Sequence, residues 1–337
     1  MNQSCLGVGL RLGTFFNQAH GVDEHMTMPN FFVVGAQKAG TTSLYHYLDQ
    51  HPEVYMSPAK EPFFFNHEID SSGRLLKQEF GRRSLSRKPR FANIEEYRTL
   101  FDGVHNEKAI GEASPLYIYA PGTAARIKRY VPKARIVALL RNPADRAYSA
   151  FLYAARIGVE PLTDFAQALQ EEEQRIHDNW HYVYRYRDRG FYFGQLNAYF
   201  EEFGSENIGV WLYEDLKENP QRVSRSVYRF LGVDDSFVPD TSTKYNPASV
   251  PKSGLSRALI RGMNVVLPLA KKIGPSASVR IQDNWTYKVR QLVNKQILTE
   301  EPRPLDPKLR AELIEGYRED ISRLQRLTGR DLSVWMR

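Results

Sequence analysis

Apolar residues along the chain form short continuous runs that alternate with stretches of helical spacing. The first run, residues 31–34, is wholly apolar and ends at Gly35, which is typical of a strand buried on both faces of a parallel sheet. Beyond it the pattern becomes helical and stops at His51-Pro52. The apolar residues with this i, i+3, i+4 spacing are Leu44, Tyr47 and Leu48. The sequence therefore predicts a strand, a glycine-rich loop and a helix in that order.

Further strands are predicted at residues 108–111, 135–140 and 208–213, and each is separated from the next by a stretch of crossover length. This alternation predicts an α/β fold with a parallel sheet flanked by helices. Helices are predicted at about residues 143–157, 164–178, 191–203, 217–231, 253–271 and 306–327. We expect a single domain with lid-like insertions, one of them the polar, basic loop from Asp70 to Arg90.

Composition narrows the class of protein. With 337 residues, 42% of them hydrophobic, the chain can bury a substantial core. The net charge of +7 is spread over the whole length, which suits an anionic ligand but does not indicate a nucleic-acid partner. The single cysteine, Cys5, excludes an intramolecular disulfide and favours a reducing, cytoplasmic location. No run reaches the roughly 18–20 apolar residues that a membrane span needs.

The first 28 residues lack the patterning of the rest. Their short apolar stretch has too little preceding positive charge for a signal peptide. Met26 and Met28 stand just before the first predicted strand. We predict that residues 1–28 form a disordered leader, or that they precede the true start, and that residues 29–337 form the folded domain.

The loop after the first strand carries the strongest chemical signal. It lies between a buried strand and a helix, where backbone N–H groups and the helix dipole can hold a phosphate. Gly35 and Gly40 permit close backbone approach, and the threonine hydroxyls can donate hydrogen bonds. The alternative is a plain glycine-rich turn. The full loop reads Gly35-Ala36-Gln37-Lys38-Ala39-Gly40-Thr41-Thr42, which predicts a P-loop-like phosphate site.

This loop differs from the Walker A motif of nucleoside triphosphatases. That motif places a lysine directly after the second glycine, whereas here Thr41 follows it and Lys38 lies inside the loop. The strand at residues 135–140 ends in Arg141 instead of an acid that would hold Mg²⁺. An arginine there suits an extra phosphate on a ribose, and a lysine in the loop suits a leaving 5′-phosphate. Both features occur in 3′-phosphoadenosine 5′-phosphosulfate (PAPS).

Three blocks of the sequence resemble the PAPS-dependent sulfotransferase superfamily, especially its heparan-sulfate-type and bacterial branch. The resemblance runs from about residue 31 to residue 253. The first block is Lys38-Ala39-Gly40-Thr41-Thr42, the second runs from Leu139 to Ala150, and the third runs from Pro58 to Phe65. The resemblance implies that the first block binds the 5′-phosphosulfate, that Arg141 and Ser149 grip the 3′-phosphate, and that Glu61 is the base.

A weaker match, residues 246–253, resembles the loop that closes over the nucleotide in bacterial relatives. It implies that Lys252 and Ser253 contact the 3′-phosphate; the alternative is a polar linker. Where several heparan-type enzymes have a histidine and a lysine, this chain has Phe63 and Ala113, which weakens the case for a polysaccharide acceptor. Glu112 could face the cleft or simply end a strand. The sequence does not distinguish these two positions of Glu112.

Residues 181–193 are rich in tyrosine and arginine and could line an acceptor groove or pack as ordinary core. Glu61 has its own alternative, an ion pair with Lys60. The histidines form no metal-ligand pattern, so no metal site is expected.

The predicted reaction is in-line sulfuryl transfer from PAPS to a hydroxyl or amine on a glycan, a lipid or a small molecule. Glu61 would act as base, Thr41 and Thr42 would hold the sulfonate, and Lys38 would neutralise the leaving phosphate. The rival hypotheses are an ATP-dependent P-loop kinase and a non-catalytic module that binds nucleotides or polyanions.

Overall fold

The computed structural model describes residues 27–76, 90–243, 245, 250–256, 259–260 and 299–337. Five parallel strands form its main sheet, in the order β2-β3-β1-β4-β5. The central strand β1 is buried along its whole length, and β4 is buried except for its first residue. The strands are β1 (Phe31–Gly35), β2 (Val54–Met56), β3 (Ala109–Ala113), β4 (Arg135–Leu140) and β5 (Ile208–Leu212).

The sheet order brings the loops after β1 and β4 together. Because β1 pairs with both β3 and β4 in parallel, the carboxyl ends of the three strands meet at one edge. The chain continues on one side of β1 through β2 and β3 and on the other through β4 and β5, so β1 lies at a switch point, where α/β sheets bind ligands. The close strand packing depends on Gly111, since a Cβ there would lie 2.1 Å from the Phe31 ring.

Helices cover both faces of the sheet. Two of the longer ones begin with local signals: Asn142 accepts from the backbone N–H groups of Ala144 and Asp145 ahead of α4, and Asp306 does the same for Leu309 ahead of α10. The helices are α1 (Thr41–Leu48), α2 (Ile94–Arg98), α3 (Thr123–Tyr130), α4 (Pro143–Arg156), α5 (Phe165–Gln170), α6 (Glu172–His177), α7 (Tyr192–Phe203), α8 (Tyr213–Glu218), α9 (Pro220–Leu231) and α10 (Pro307–Thr328). A short antiparallel pair, β6 (Val250–Pro251) and β7 (Thr299–Glu300), lies beside α4.

The predicted α/β class and its parallel sheet are confirmed. The prediction of one helix at 164–178 is wrong, because the chain breaks into α5 and α6. The single helix predicted at 217–231 is also wrong: α8 begins at Tyr213, and α9 begins at Pro220 after a cap by Asn219. The three-residue β2 and the helices α2 and α3 were not predicted.

Several predictions fall on residues outside the described part of the chain. These are residues 1–26 of the leader, with Cys5, most of the basic loop 70–90 and most of the helix at 253–271. Met28, at the end of the predicted leader, packs partly buried against the core. Among the described residues, no helix is both long and apolar enough to cross a bilayer.

Buried carboxylates fix the segment between α6 and α7. Glu172 accepts hydrogen bonds of 2.7–2.8 Å from the backbone N–H groups of Tyr186, Arg187 and Asp188. Glu160 forms a two-bond ion pair of 2.8 and 3.1 Å with Arg175, and both side chains are buried. These contacts hold residues 181–191, whose helical structure is limited to two single 3-10 turns, Tyr182–Tyr184 and Asp188–Gly190.

The C-terminal helix α10 packs on the same segment. The Tyr317 hydroxyl donates to the carbonyl of Arg187 at 2.7 Å, and Asp320 accepts from the N–H groups of Tyr192 and Phe193 at the start of α7. Gly190 lies so close to Tyr317 that a Cβ there would be 2.6 Å from its hydroxyl oxygen. Residues far apart in sequence therefore shape the region next to the loop after β1.

Candidate active site

The loop between β1 and α1 folds through its own backbone. Lys38 and Gly40 both have left-handed conformations, with φ of 73° and 90°. A Cβ at Gly40 would lie 2.9 Å from the Tyr213 ring, so glycine is required on both counts. Gly40 is the N-cap of α1, and no side chain of the described residues caps this end. The first turn of α1 therefore opens into the loop, as the predicted phosphate site requires.

Lys38 lies in a concentration of positive charge. Burial, reinforced by the charges of Arg156 and Arg141, lowers its pKa to about 7. Its Nζ lies 4.6 Å from the centroid of the Tyr153 ring. A lysine that is costly to protonate in the free protein gains most from an anion, which would stabilise its charged form.

Arg141 lies at the end of β4 and reaches the same loop. Its Nη1 donates to the carbonyl of Lys38 at 3.1 Å, and its guanidinium carbon lies 4.6 Å from the centre of the Tyr213 ring. The structure thus brings together the two cations that the sequence placed after different strands. Ser149 lies on α4, partly exposed, and its predicted contact with the 3′-phosphate stays a prediction.

Glu61 approaches the loop from the opposite side. Its backbone N–H donates to the carbonyl of Ala113 at the end of β3, and its φ is 60°. The ion pair with Lys60 is present at 2.7 Å, with about a third of the Glu61 side chain exposed. Glu61 also lies near enough to Lys38 for its negative charge to oppose the lowering of the lysine pKa. The contact with Lys60 therefore coexists with a place beside the loop.

Two of the phenylalanines that follow Glu61 belong to the core. Phe64 and Phe65 are buried and pack with Tyr97 in the core. The Glu61 side chain, by contrast, is partly exposed beside Lys60.

Glu112 is a core residue. Its side chain is fully buried, and the hydroxyls of Tyr97 and Tyr117 donate to Oε2 at 2.5 and 3.2 Å. Burial raises its pKa to about 7. The Tyr117 hydroxyl also accepts from the N–H of Phe65, so this cluster braces the segment that carries Glu61. The structure therefore favours the interpretation in which Glu112 ends a strand over the one in which it faces the cleft.

Lys252 and Ser253 follow β6, which packs on α4. Lys252 is exposed, while the Ser253 hydroxyl accepts from the N–H of Ser256 at 3.1 Å. Residues 246–249 of this block lie outside the described part of the chain. The predicted 3′-phosphate contact of Lys252 and Ser253 stays a prediction.

The structure adds two residues that the sequence analysis did not select. Tyr153 and Arg156 lie four and seven positions after Ser149 on α4, so all three share a helix face. That spacing was available as a signal in the sequence. Tyr182 is close to Glu61, whose charge adds to the effect of burial in raising the tyrosine pKa. Most other tyrosines of segment 181–193 are buried core, which favours packing over a groove there.

Comparison with known proteins identifies the family. Residues 29–237 match the model of the sulfotransferase family. A crystal structure of a sulfotransferase from Alicyclobacillus acidocaldarius aligns over 92% of this chain and 100% of its own, with 32% identity and a TM-score of 0.64. The chain belongs to the sulfotransferase family.

Two curated relatives are more distant or match over less of the chain. The membrane-associated sulfotransferase kil1 of Dictyostelium discoideum is 33% identical over 38% of this chain and 24% of its own length. Human carbohydrate sulfotransferase 15 is 25% identical over 78% of this chain and 54% of its own length. The chain thus spans about a quarter to a half of the curated relatives it matches.

Proposed function

We propose that the protein transfers a sulfuryl group from PAPS to a hydroxyl or amine acceptor and releases adenosine 3′,5′-bisphosphate (PAP). One observation carries this proposal: Lys38, with its pKa lowered to about 7, lies between Arg141 and Glu61 at the carboxyl edge of the sheet. The cations suit an anionic donor, and the carboxylate suits an acceptor that must lose a proton. Family membership supports the same reaction.

The chain's residues divide the work of an in-line displacement. Glu61 takes the proton from the acceptor as its oxygen or nitrogen bonds to sulfur. Thr41, Thr42 and the N–H groups at the start of α1 hold the sulfonate oxygens. The bond between sulfur and the 5′-phosphate oxygen breaks, the electron pair stays with that oxygen, and Lys38 neutralises the charge. Arg141 and Ser149, with Lys252 and Ser253 from the next block, bind the 3′-phosphate.

The acceptor class is also a proposal. Carbohydrate sulfotransferase 15 is named for sugar substrates, which supports a glycan acceptor, whereas Phe63 and Ala113 depart from the heparan-type pattern. The proposal also includes lipid and small-molecule hydroxyls as acceptors. We further propose that the protein is cytoplasmic. Incubation of the protein with ³⁵S-labelled PAPS and an extract of the producing cells would identify the acceptor by its label.

The donor prediction separates a sulfotransferase from a kinase. We expect PAP to bind without Mg²⁺, ATP to bind poorly, and EDTA to leave turnover of PAPS intact, because Arg141 stands where a kinase places a metal-binding acid. Calorimetry with PAP, AMP and ATP, with and without Mg²⁺, measures this. Tight ATP binding that depends on Mg²⁺, with PAP no better than AMP, would contradict the assignment. Tight PAP binding without turnover of PAPS would instead support a binding module.

Arg141 is predicted to read the 3′-phosphate. Arg141→Ala should weaken PAP about tenfold to a hundredfold, because a charged hydrogen bond contributes about 1.5–3 kcal/mol. AMP lacks the 3′-phosphate and should lose much less. Calorimetry of both ligands with both proteins gives the comparison. Equal losses would show that Arg141 acts only by holding the carbonyl of Lys38.

A further inference from the structure

Arg189 contacts the loop that carries Lys38. It is 4% exposed, and its Nη2 donates to Oε1 of Gln37 at 2.6 Å. The other two guanidinium nitrogens, Nε and Nη1, are buried and have no hydrogen-bond partner among the described residues. Gln37 immediately precedes Lys38, whose left-handed backbone turns the loop. One side chain therefore joins the segment before α7 to the residue next to the predicted leaving-group lysine.

The charge of Arg189 is not neutralised within the described residues. None of the ion pairs found there includes Arg189 or its neighbour Arg146, which is also buried. Arg175, by contrast, is equally buried and has Glu160 as a two-bond partner. A buried cation without a carboxylate is costly, so its presence beside a predicted anion-binding loop indicates a compensating role.

The surroundings of Arg189 connect the two sides of the candidate site. Its guanidinium carbon lies 5.5 Å from the centre of the Tyr182 ring, and Tyr182 is near Glu61. The same guanidinium donates to Gln37 of the loop. The backbone around Arg189 is itself held by Glu172 and by Tyr317, so the guanidinium projects from a fixed support.

We propose that Arg189 is a positioning residue of the phosphate loop. Its charged hydrogen bond to Gln37 holds the turn at Lys38, and its unneutralised charge favours an anion in the loop. The identity of that anion, the 5′-phosphate of PAP and PAPS, rests on the proposed function. The positioning itself is a property of this chain's own residues.

A double-mutant cycle on Arg189 and Gln37 tests the proposal by calorimetry of PAP and by thermal unfolding. Arg189→Met should raise the Kd for PAP about tenfold to a hundredfold, the range expected for loss of a charged hydrogen bond. Gln37→Ala should also raise the Kd for PAP. The Kd of the double variant should be little higher than that of Arg189→Met, because both substitutions remove the same contact. Arg189→Lys, which keeps the charge and a donor, should recover most of the affinity.

Gln195→Ala is the matched control. Gln195 donates to the carbonyls of Arg189 and Phe191 but does not touch the loop, so its loss should leave PAP affinity unchanged. Wild-type PAP affinity in folded Arg189→Met would overturn the proposal, as would additive losses in the cycle. If Arg189→Met does not fold, wild-type PAP affinity in Gln37→Ala would overturn the proposal instead. Failure of the wild-type protein to bind PAP would instead overturn the proposed function.

Discussion

Replacement of Glu61 by glutamine is expected to lower kcat about 10²–10⁴-fold, the usual value of general-base assistance. The amide keeps the shape of the side chain and removes the proton acceptor. PAP affinity and thermal stability should stay nearly unchanged, because the ion pair with Lys60 is partly exposed and such pairs contribute little. Steady-state kinetics with PAPS and an acceptor, together with PAP calorimetry, measure both halves of this prediction.

Glu112→Gln is the control for Glu61. The buried Glu112 accepts hydrogen bonds from Tyr97 and Tyr117, and a glutamine carbonyl can accept them as well. We therefore expect this variant to keep most of its activity. An active Glu61→Gln enzyme, above all beside an inactive Glu112→Gln enzyme, would move the base from the segment after β2 to the end of β3.

Loss of the lysine in the loop should have a comparable effect. Lys38→Ala is expected to reduce kcat on the order of 10²–10³-fold, similar to removal of one donor from an oxyanion site, while PAP affinity falls less. Alanine and lysine are both L residues at the left-handed position, so the change does not add backbone strain of its own. A wild-type kcat in Lys38→Ala would remove the lysine from the mechanism.

The pH dependence of PAP binding gives a second measure of Lys38. Because its pKa is lowered to about 7 and an anion favours its protonated form, PAP affinity should fall as the pH rises above about 7. The phosphates are already doubly charged there, with a second pKa near 6, so their ionisation adds little to the trend. Lys38→Arg keeps its charge and should flatten the profile between pH 7 and 9. An equally steep profile in Lys38→Arg would assign the titration to another group.

The parts of the site that are local in sequence could be predicted. The apolar run of β1, the loop that follows it and Arg141 at the end of β4 each depend on a few consecutive residues. The parallel sheet then brings those segments to one edge, because parallel strands end on the same side. The cations of the site were found for that reason.

The features that the sequence did not predict depend on contacts between residues that are distant in the chain. Glu172, the first residue of α6, accepts hydrogen bonds from backbone more than ten residues away, which no helical periodicity reveals. The burial of Glu112 follows from the fold, which places Tyr97 of α2 against it. Arg189 lies within an aromatic and basic segment whose residues look alike in sequence. Only the fold separates the core residues of this segment from those of the cleft.

The packing of α10 changes what counts as the smallest working unit of this protein. Every motif that carries the predicted chemistry except Lys252 and Ser253 lies within the family match at residues 29–237, and α10 lies wholly beyond it. Yet Tyr317 and Asp320 anchor the backbone on both sides of Gly190, next to Arg189. A fragment trimmed to the family match would keep the reacting groups and lose the scaffold behind them. Fusions and truncations therefore have to preserve the C-terminal helix.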